Sequence, residues 1–254
     1  MATYGPASAG VSQSTMRGWL DQAVAYAEAR FGPRDARFTL YGPFPDAIGP
    51  ICNYCPPGAD PPFATVFVSE LSTRDQFCAL FECAHEAVHV LTPRPGRGQA
   101  SLFEEGLATW ASVSYMWITQ LRDMRPVLGP RYREALALVE PLLGDANPRV
   151  PPPTNQEEAF RLWQTQMPQR RAPVPSVLNL RERVAAISDA TADDLQAVWP
   201  ELDRATAERL AAPAGEMRPV RTTSAAAVPP PASAGTPNAF APTLVQAKGR
   251  GFPR

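Results

Sequence analysis

Only two histidines occur in these 254 residues, and they stand four apart in His85-Glu86-Ala87-Val88-His89. No other feature constrains the fold as strongly. On an α-helix, residues four apart lie within about 40° of each other around the axis. A helix through 85–89 therefore presents both imidazoles to one point, where a zinc ion could sit. Two neutral nitrogens leave the charge of such an ion mostly uncompensated. One carboxylate from another element completes a three-ligand site with an open fourth position for water. A structural zinc site would instead be closed by four protein ligands, usually including thiolates. Glu86, one step along the helix, points to the side of the ion. That is where a general base must stand to take a proton from water without itself binding the metal.

The flanking sequence supplies the remaining parts. Residues 64–71 alternate Val66 and Val68 with small or polar neighbours and read as a strand. Ser72 or Thr73 then caps a helix expected to run to about Leu91, with Asp75 in its first turn. Pro93, Pro95, Gly96 and Gly98 break it, and a second helix is expected over 101–123. That helix opens with Glu104-Glu105, either of which could be the third ligand. Adjacent helical positions diverge by about 100°, so only one of the two can face the ion. Further helices are expected over 14–31, capped by Ser14 or Thr15, and over 131–143, with a short strand at 37–41.

With these residues in place, His85-Glu86-Ala87-Val88-His89-Val90-Leu91 followed by Phe103-Glu104-Glu105-Gly106-Leu107-Ala108-Thr109 resembles the gluzincin clan of zinc metallopeptidases. The resemblance covers roughly residues 64–123. It implies that His85, His89 and Glu105 bind Zn2+ and that Glu86 is the catalytic base. It implies that the 64–71 strand aligns an extended peptide by main-chain hydrogen bonds. The fold implied is α+β, a minimal zincin-like domain with a small sheet packed on the active-site helix. The clan often places an acidic residue shortly after the third ligand to orient a histidine, and here that neighbourhood is Ala108-Thr109. It also commonly uses a Tyr or His to stabilise the oxyanion. The tyrosines that follow the third ligand are Tyr115 and Tyr132, and Tyr115 sits on an apolar face that suits the core.

The resulting expectation is zinc-dependent hydrolysis of peptide bonds in a peptide or protein substrate. Two other readings compete with it. One is a regulatory zincin-like protease that cleaves a single protein partner. The other is a noncatalytic, metal-stabilised scaffold.

Composition bounds the rest. A net charge of −1 gives no electrostatic reason to expect nucleic acid or an anionic membrane as partner. No apolar run approaches 18 residues, and the N-terminus has neither a basic start nor an apolar core, so a cytoplasmic location is expected. The 30 prolines concentrate toward the C-terminal side. The organisation expected is a zincin-like domain over 1–143, a proline-rich linker over 144–155, a helical segment over 156–212 and a disordered tail over 213–254. Within the helical segment, short helices are expected at 156–167, 176–187 and 192–211, the last interrupted near Pro200.

Cys52 and Cys55 form half of a zinc ribbon or a redox pair, and read most simply as free thiols in a loop. Cys78 and Cys83 diverge by about 140° on their helix and do not make a natural second half. Glu82 shares the histidines' helix face and is expected to be solvated. The glutamate of 104–105 that does not bind the ion is expected to be solvated or to brace a ligand.

Overall fold

The computed structural model of the chain describes residues 10–47, 58–93, 100–120, 122–144, 146 and 190–215. Its elements in order are α1 (Gln13–Phe31), β1 (Thr39–Asp46), β2 (Phe63–Ser69), a 3-10 turn (Glu70–Thr73), α2 (Gln76–His89), α3 (Leu102–Gln120), a second 3-10 turn (Arg125–Val127), α4 (Pro130–Leu143), α5 (Ala192–Val198) and α6 (Arg204–Ala211). The described residues thus combine helices with a two-stranded parallel sheet, an α+β arrangement. None of their helices is long and apolar enough to cross a membrane. Cys52 and Cys55, the helices expected at 156–167 and 176–187, most of the 144–155 linker and the tail beyond 215 lie outside the described residues.

Helix α1 buries Met16, Leu20, Ala23, Val24, Ala27 and Phe31, the stripe that its sequence periodicity predicts. Its cap is Ser12 rather than Ser14 or Thr15. The Ser12 side chain accepts from Thr15 N–H, so the helix begins one residue earlier than expected. Arg17 on this helix reaches across to β1 and donates to the carbonyls of Leu40 and Gly42 at 3.0 and 3.3 Å.

Those carbonyls flank the irregularity that lets β1 run to Asp46 instead of stopping near Tyr41. The register shifts between Tyr41 and Phe44, so the Gly42-Pro43 pair is carried as a bulge. Gly42 takes φ +97°, and a Cβ there would fall 2.4 Å from the Val66 carbonyl. Only glycine fits this position. On β2 the inner residues Ala64, Val66 and Val68 are buried, and the outer ones are half-exposed. A bond from Thr39 N–H to the Pro62 carbonyl sets the phase of the ladder. Even-numbered residues of β2 therefore face β1, while Phe63, Thr65, Phe67 and Ser69 turn their N–H and C=O groups to the opposite edge.

Helix α2 starts later and stops earlier than its sequence suggests. Ser72 and Thr73 lie in the 3-10 turn, and Asp75 is the cap, its carboxylate accepting from Phe77 and Cys78 N–H. The last helical residue is His89, so the histidine pentapeptide closes the helix instead of lying in its middle.

Helices α1 and α3 pack on α2, and α4 packs on α3. Gly106 makes the α3–α4 crossing close, since a Cβ there would lie 2.5 Å from Val139 Cγ1 and 2.7 Å from the Ala135 carbonyl. Helices α5 and α6 join the same core through Leu195, Trp199, Ala207 and Leu210. Pro200 separates them as expected, and Asp203 caps α6. The chain after α6 then returns to the start of α3. Ala212 C=O accepts from Leu102 N–H, and Ala214 N–H donates to Ala100 C=O. These contacts tie residues 212–214 to the residues that lead into α3. The turn that carries Glu104 and Glu105 is thereby held at its entry.

Candidate metal centre

Two helix termini meet at the site. The last turn of α2 brings His85, Glu86 and His89, and the first turn of α3 brings Glu104 and Glu105. All five are buried. Carboxylates at a helix N-terminus are favoured by its dipole, as is a cation at a C-terminus. Both termini therefore suit the charges that a metal centre needs.

The donor atoms converge as a single-ion site requires. His85 Nε2 lies 3.3 Å from His89 Nε2 and 3.1 Å from Glu105 Oε2, and His89 Nε2 lies 3.7 Å from Glu105 Oε1. A tetrahedral zinc with bonds of about 2.0–2.1 Å separates its ligand atoms by about 3.3 Å. The three side chains thus stand at zinc-ligand spacing, and among the described residues no fourth His, Cys, Asp or Glu joins the group.

The groups around these donor atoms suit a cation. His89 Nδ1 sits 2.9 Å from Glu104 Oε1. A carboxylate at that distance accepts a hydrogen bond from Nδ1–H, which leaves the Nε2 lone pair directed into the cluster. Two imidazole nitrogens and a carboxylate oxygen facing one another inside a protein repel unless a proton or a metal ion sits among them. Burial opposes ionisation of Glu105. The hydrogen bond with His85 and the charge that the two histidines can carry nonetheless hold its carboxyl below the usual value.

Glu104 is therefore the bracing group and not a solvated one. His85 has no matching brace, and its Nδ1 is buried without a hydrogen-bond partner. Beside it stands Tyr132, whose ring meets the His85 ring at 5.4 Å between centroids and 88° between planes. Gly106 makes this possible, because the close crossing carries α4 and Tyr132 toward the end of α2. The structure does not bring Tyr115 here. It lies ten residues, about 15 Å of helix, beyond Glu105, packed against Tyr26 at 5.4 Å between centroids. Burial there pushes its phenol up to about 12.

Glu86 is 1% exposed, and its Oε2 has no hydrogen-bond partner. Burial pushes its carboxyl up to about 7, against the lowering pull of His89 and His85. A buried polar atom without a partner is costly and rare. An atom of this kind beside three converging ligands is suited to a water or a substrate group.

Sequence reasoning missed two participants. Glu82, expected in solvent, is buried among donors from Ser69, Ser72 and Cys78. Its signal was its place on the histidines' helix face in an otherwise apolar run, preceded by a Ser-x-x-Ser pair. Gly106 read only as part of a Glu-Gly pattern, and its contact with α4 has no local signature. Compared with known proteins, the chain matches no protein-family model, no curated protein and no solved structure.

Proposed function

We propose that this protein is a single-zinc hydrolase of the zincin type that cleaves peptide bonds, with His85, His89 and Glu105 as the metal ligands and Glu86 as the general base. One observation carries this reading: three ligand atoms stand at zinc spacing next to a buried carboxylate that has an unpartnered oxygen. Two nitrogens and one carboxylate are the donor set of catalytic zinc, and a structural site would be expected to add thiolates and a fourth ligand. When bound, zinc supplies Lewis-acid polarisation of a carbonyl and lowers the pKa of water.

The chain's own residues do the remaining work. Glu104 fixes the His89 tautomer. Glu86, whose carboxyl is raised above the usual value by burial, takes a proton from water and passes it to the departing amine. Tyr132 is the phenol placed beside the metal turn, and it is the tyrosine that would steady the developing oxyanion. An extended peptide could add to the edge of β2 that pairs with no strand among the described residues, which favours peptide over ester or phosphate substrates.

Elemental analysis of the purified protein and cleavage of a peptide library by wild type and Glu86→Gln test the proposal together. One zinc per chain in both proteins is expected, with cleavage reduced about a thousandfold in the variant, within the range for loss of a general base. Protein that carries zinc but cleaves no peptide would overturn the catalytic part. Failure to bind zinc would overturn the whole.

A further inference from the structure

Glu82 lies one helical turn before His85, and the four hydrogen bonds that its carboxylate accepts come from outside the metal turn. Oε2 accepts from Ser69 N–H at 2.7 Å and from the Ser72 hydroxyl at 2.6 Å. Oε1 accepts from the Ser69 hydroxyl at 2.7 Å and from the Cys78 thiol at 3.3 Å. Two oxygens offer about four acceptor positions, so this carboxylate is filled.

The donors come from three consecutive elements. Ser69 is the last residue of β2, Ser72 lies in the 3-10 turn, and Cys78 is in the first turn of α2. Ser69 N–H is of special interest, because it belongs to the set of β2 groups that turn away from β1. Among the described residues β1 is the one strand paired with β2, so Glu82 takes the last donor on the other edge and leaves Phe63, Thr65 and Phe67 as the main-chain groups turned toward it. It also fixes the distance between that edge and the turn of α2 that carries His85 and Glu86.

We propose that Glu82 is a positioning residue that holds the open edge of β2 in register with the metal turn, so that an extended peptide bound on that edge ends its hydrogen-bonded ladder beside Glu86. The role in substrate placement rests on the function proposed above. The mechanical joint itself does not.

Native-state hydrogen exchange tests the joint in the zinc-loaded full chain. In Glu82→Gln, whose amide turns a donor toward groups that are themselves donors, exchange over Thr65–Thr73 should rise at least tenfold more than exchange in α3. Zinc affinity, measured by competition with a chromogenic chelator, should stay within threefold of wild type. Ser72→Ala, which removes one donor and is the milder change, should produce the same local pattern at about threefold. For substrate placement, KM for a library-selected peptide should rise about tenfold in Glu82→Gln, with kcat within threefold.

A rise in exchange spread evenly over the chain, or loss of zinc, would overturn the joint. A fall in kcat with KM unchanged would overturn its role in substrate placement. If wild type cleaves no peptide, the proposed function fails on that result, while the exchange pattern still decides the joint.

Discussion

Two buried carboxylates four residues apart on α2 are treated in opposite ways. Glu82 receives four hydrogen bonds from its own chain. Glu86 is more deeply buried, yet its Oε2 has no hydrogen-bond partner among the described residues. Both side chains lie on the same stretch of one helix, so local conformation does not explain the difference. What differs is the neighbourhood each meets. At Glu82 the chain provides the end of a strand and a 3-10 turn, both rich in donors. At Glu86 it provides no hydrogen-bond donor to Oε2 among the described residues. A satisfied buried carboxylate acts as a structural tie, whereas an unsatisfied one stands ready for a group that does not belong to the chain.

The sharpest way to break this contrast is to neutralise each carboxylate in turn. Hydrogen bonds to a charged group contribute about 1.5–3 kcal/mol each, and unsatisfied donors left behind add to the loss. Glu82→Gln should therefore cost about 3 kcal/mol in urea denaturation of metal-free protein. Glu86→Gln should cost nothing or stabilise slightly, because it replaces a buried carboxyl that lacks a partner. Equal losses at the two positions would mean that Glu86 is a structural residue as well. Metal removal probes the other side of the contrast. Zinc bound only by the folded chain stabilises it by about 2.7 kcal/mol at a hundredfold excess over Kd. Chelation should lower the unfolding free energy by that amount in wild type. In His89→Ala it should change little, as calorimetry with and without chelator would show.

The histidine braces offer a finer test. His89 is held by Glu104, and His85 has no such partner on Nδ1. Loss of a carboxylate that orients a metal-bound histidine typically weakens metal affinity by about ten- to a hundredfold. Glu104→Gln should fall in that range in a zinc competition titration, with the fold intact by circular dichroism. An unchanged affinity would remove Glu104 from the site's design and leave Glu105 as the one functional glutamate of the pair.

The sequence and the structure agree best where chemistry is local. Histidines four apart need only a helix to meet, and Glu105 needs only to open the next one. Ends of elements were less legible, because they depend on competing caps. Ser72 and Asp75 are both good N-caps, and Asp75 prevails because the 3-10 turn engages Ser72 and Thr73 first. Glu82 could not be read as buried without knowing that β2 ends against it. The register of the two-stranded ladder was likewise hidden, since it shifts at a bulge at Gly42-Pro43 that no alternation pattern announces. Tyr132 reaches His85 only through a helix crossing 26 residues earlier in the chain, at Gly106.

That crossing gives the smallest effects and the cleanest internal control. Gly106 and Gly18 both sit inside helices, where Ala is ordinarily preferred by about 1 kcal/mol. A Cβ at Gly18 meets nothing within 4 Å, while one at Gly106 collides with Val139 Cγ1 at 2.5 Å and the Ala135 carbonyl at 2.7 Å. Val139 could yield by changing rotamer, but the carbonyl is backbone and moves only if α4 moves with it. Overpacking of this kind costs about 1–3 kcal/mol, so Gly106→Ala should lose a net of about 0–2 kcal/mol after its gain in helix propensity. Gly18→Ala should gain up to about 1 kcal/mol. If α4 shifts to make room, Tyr132 withdraws from His85. Gly106→Ala would then also slow peptide cleavage while retaining zinc, and Gly18→Ala would do neither. Matching stability changes at both glycines would show that α4 adapts freely, and the Tyr132–His85 contact would then owe nothing to the missing side chain.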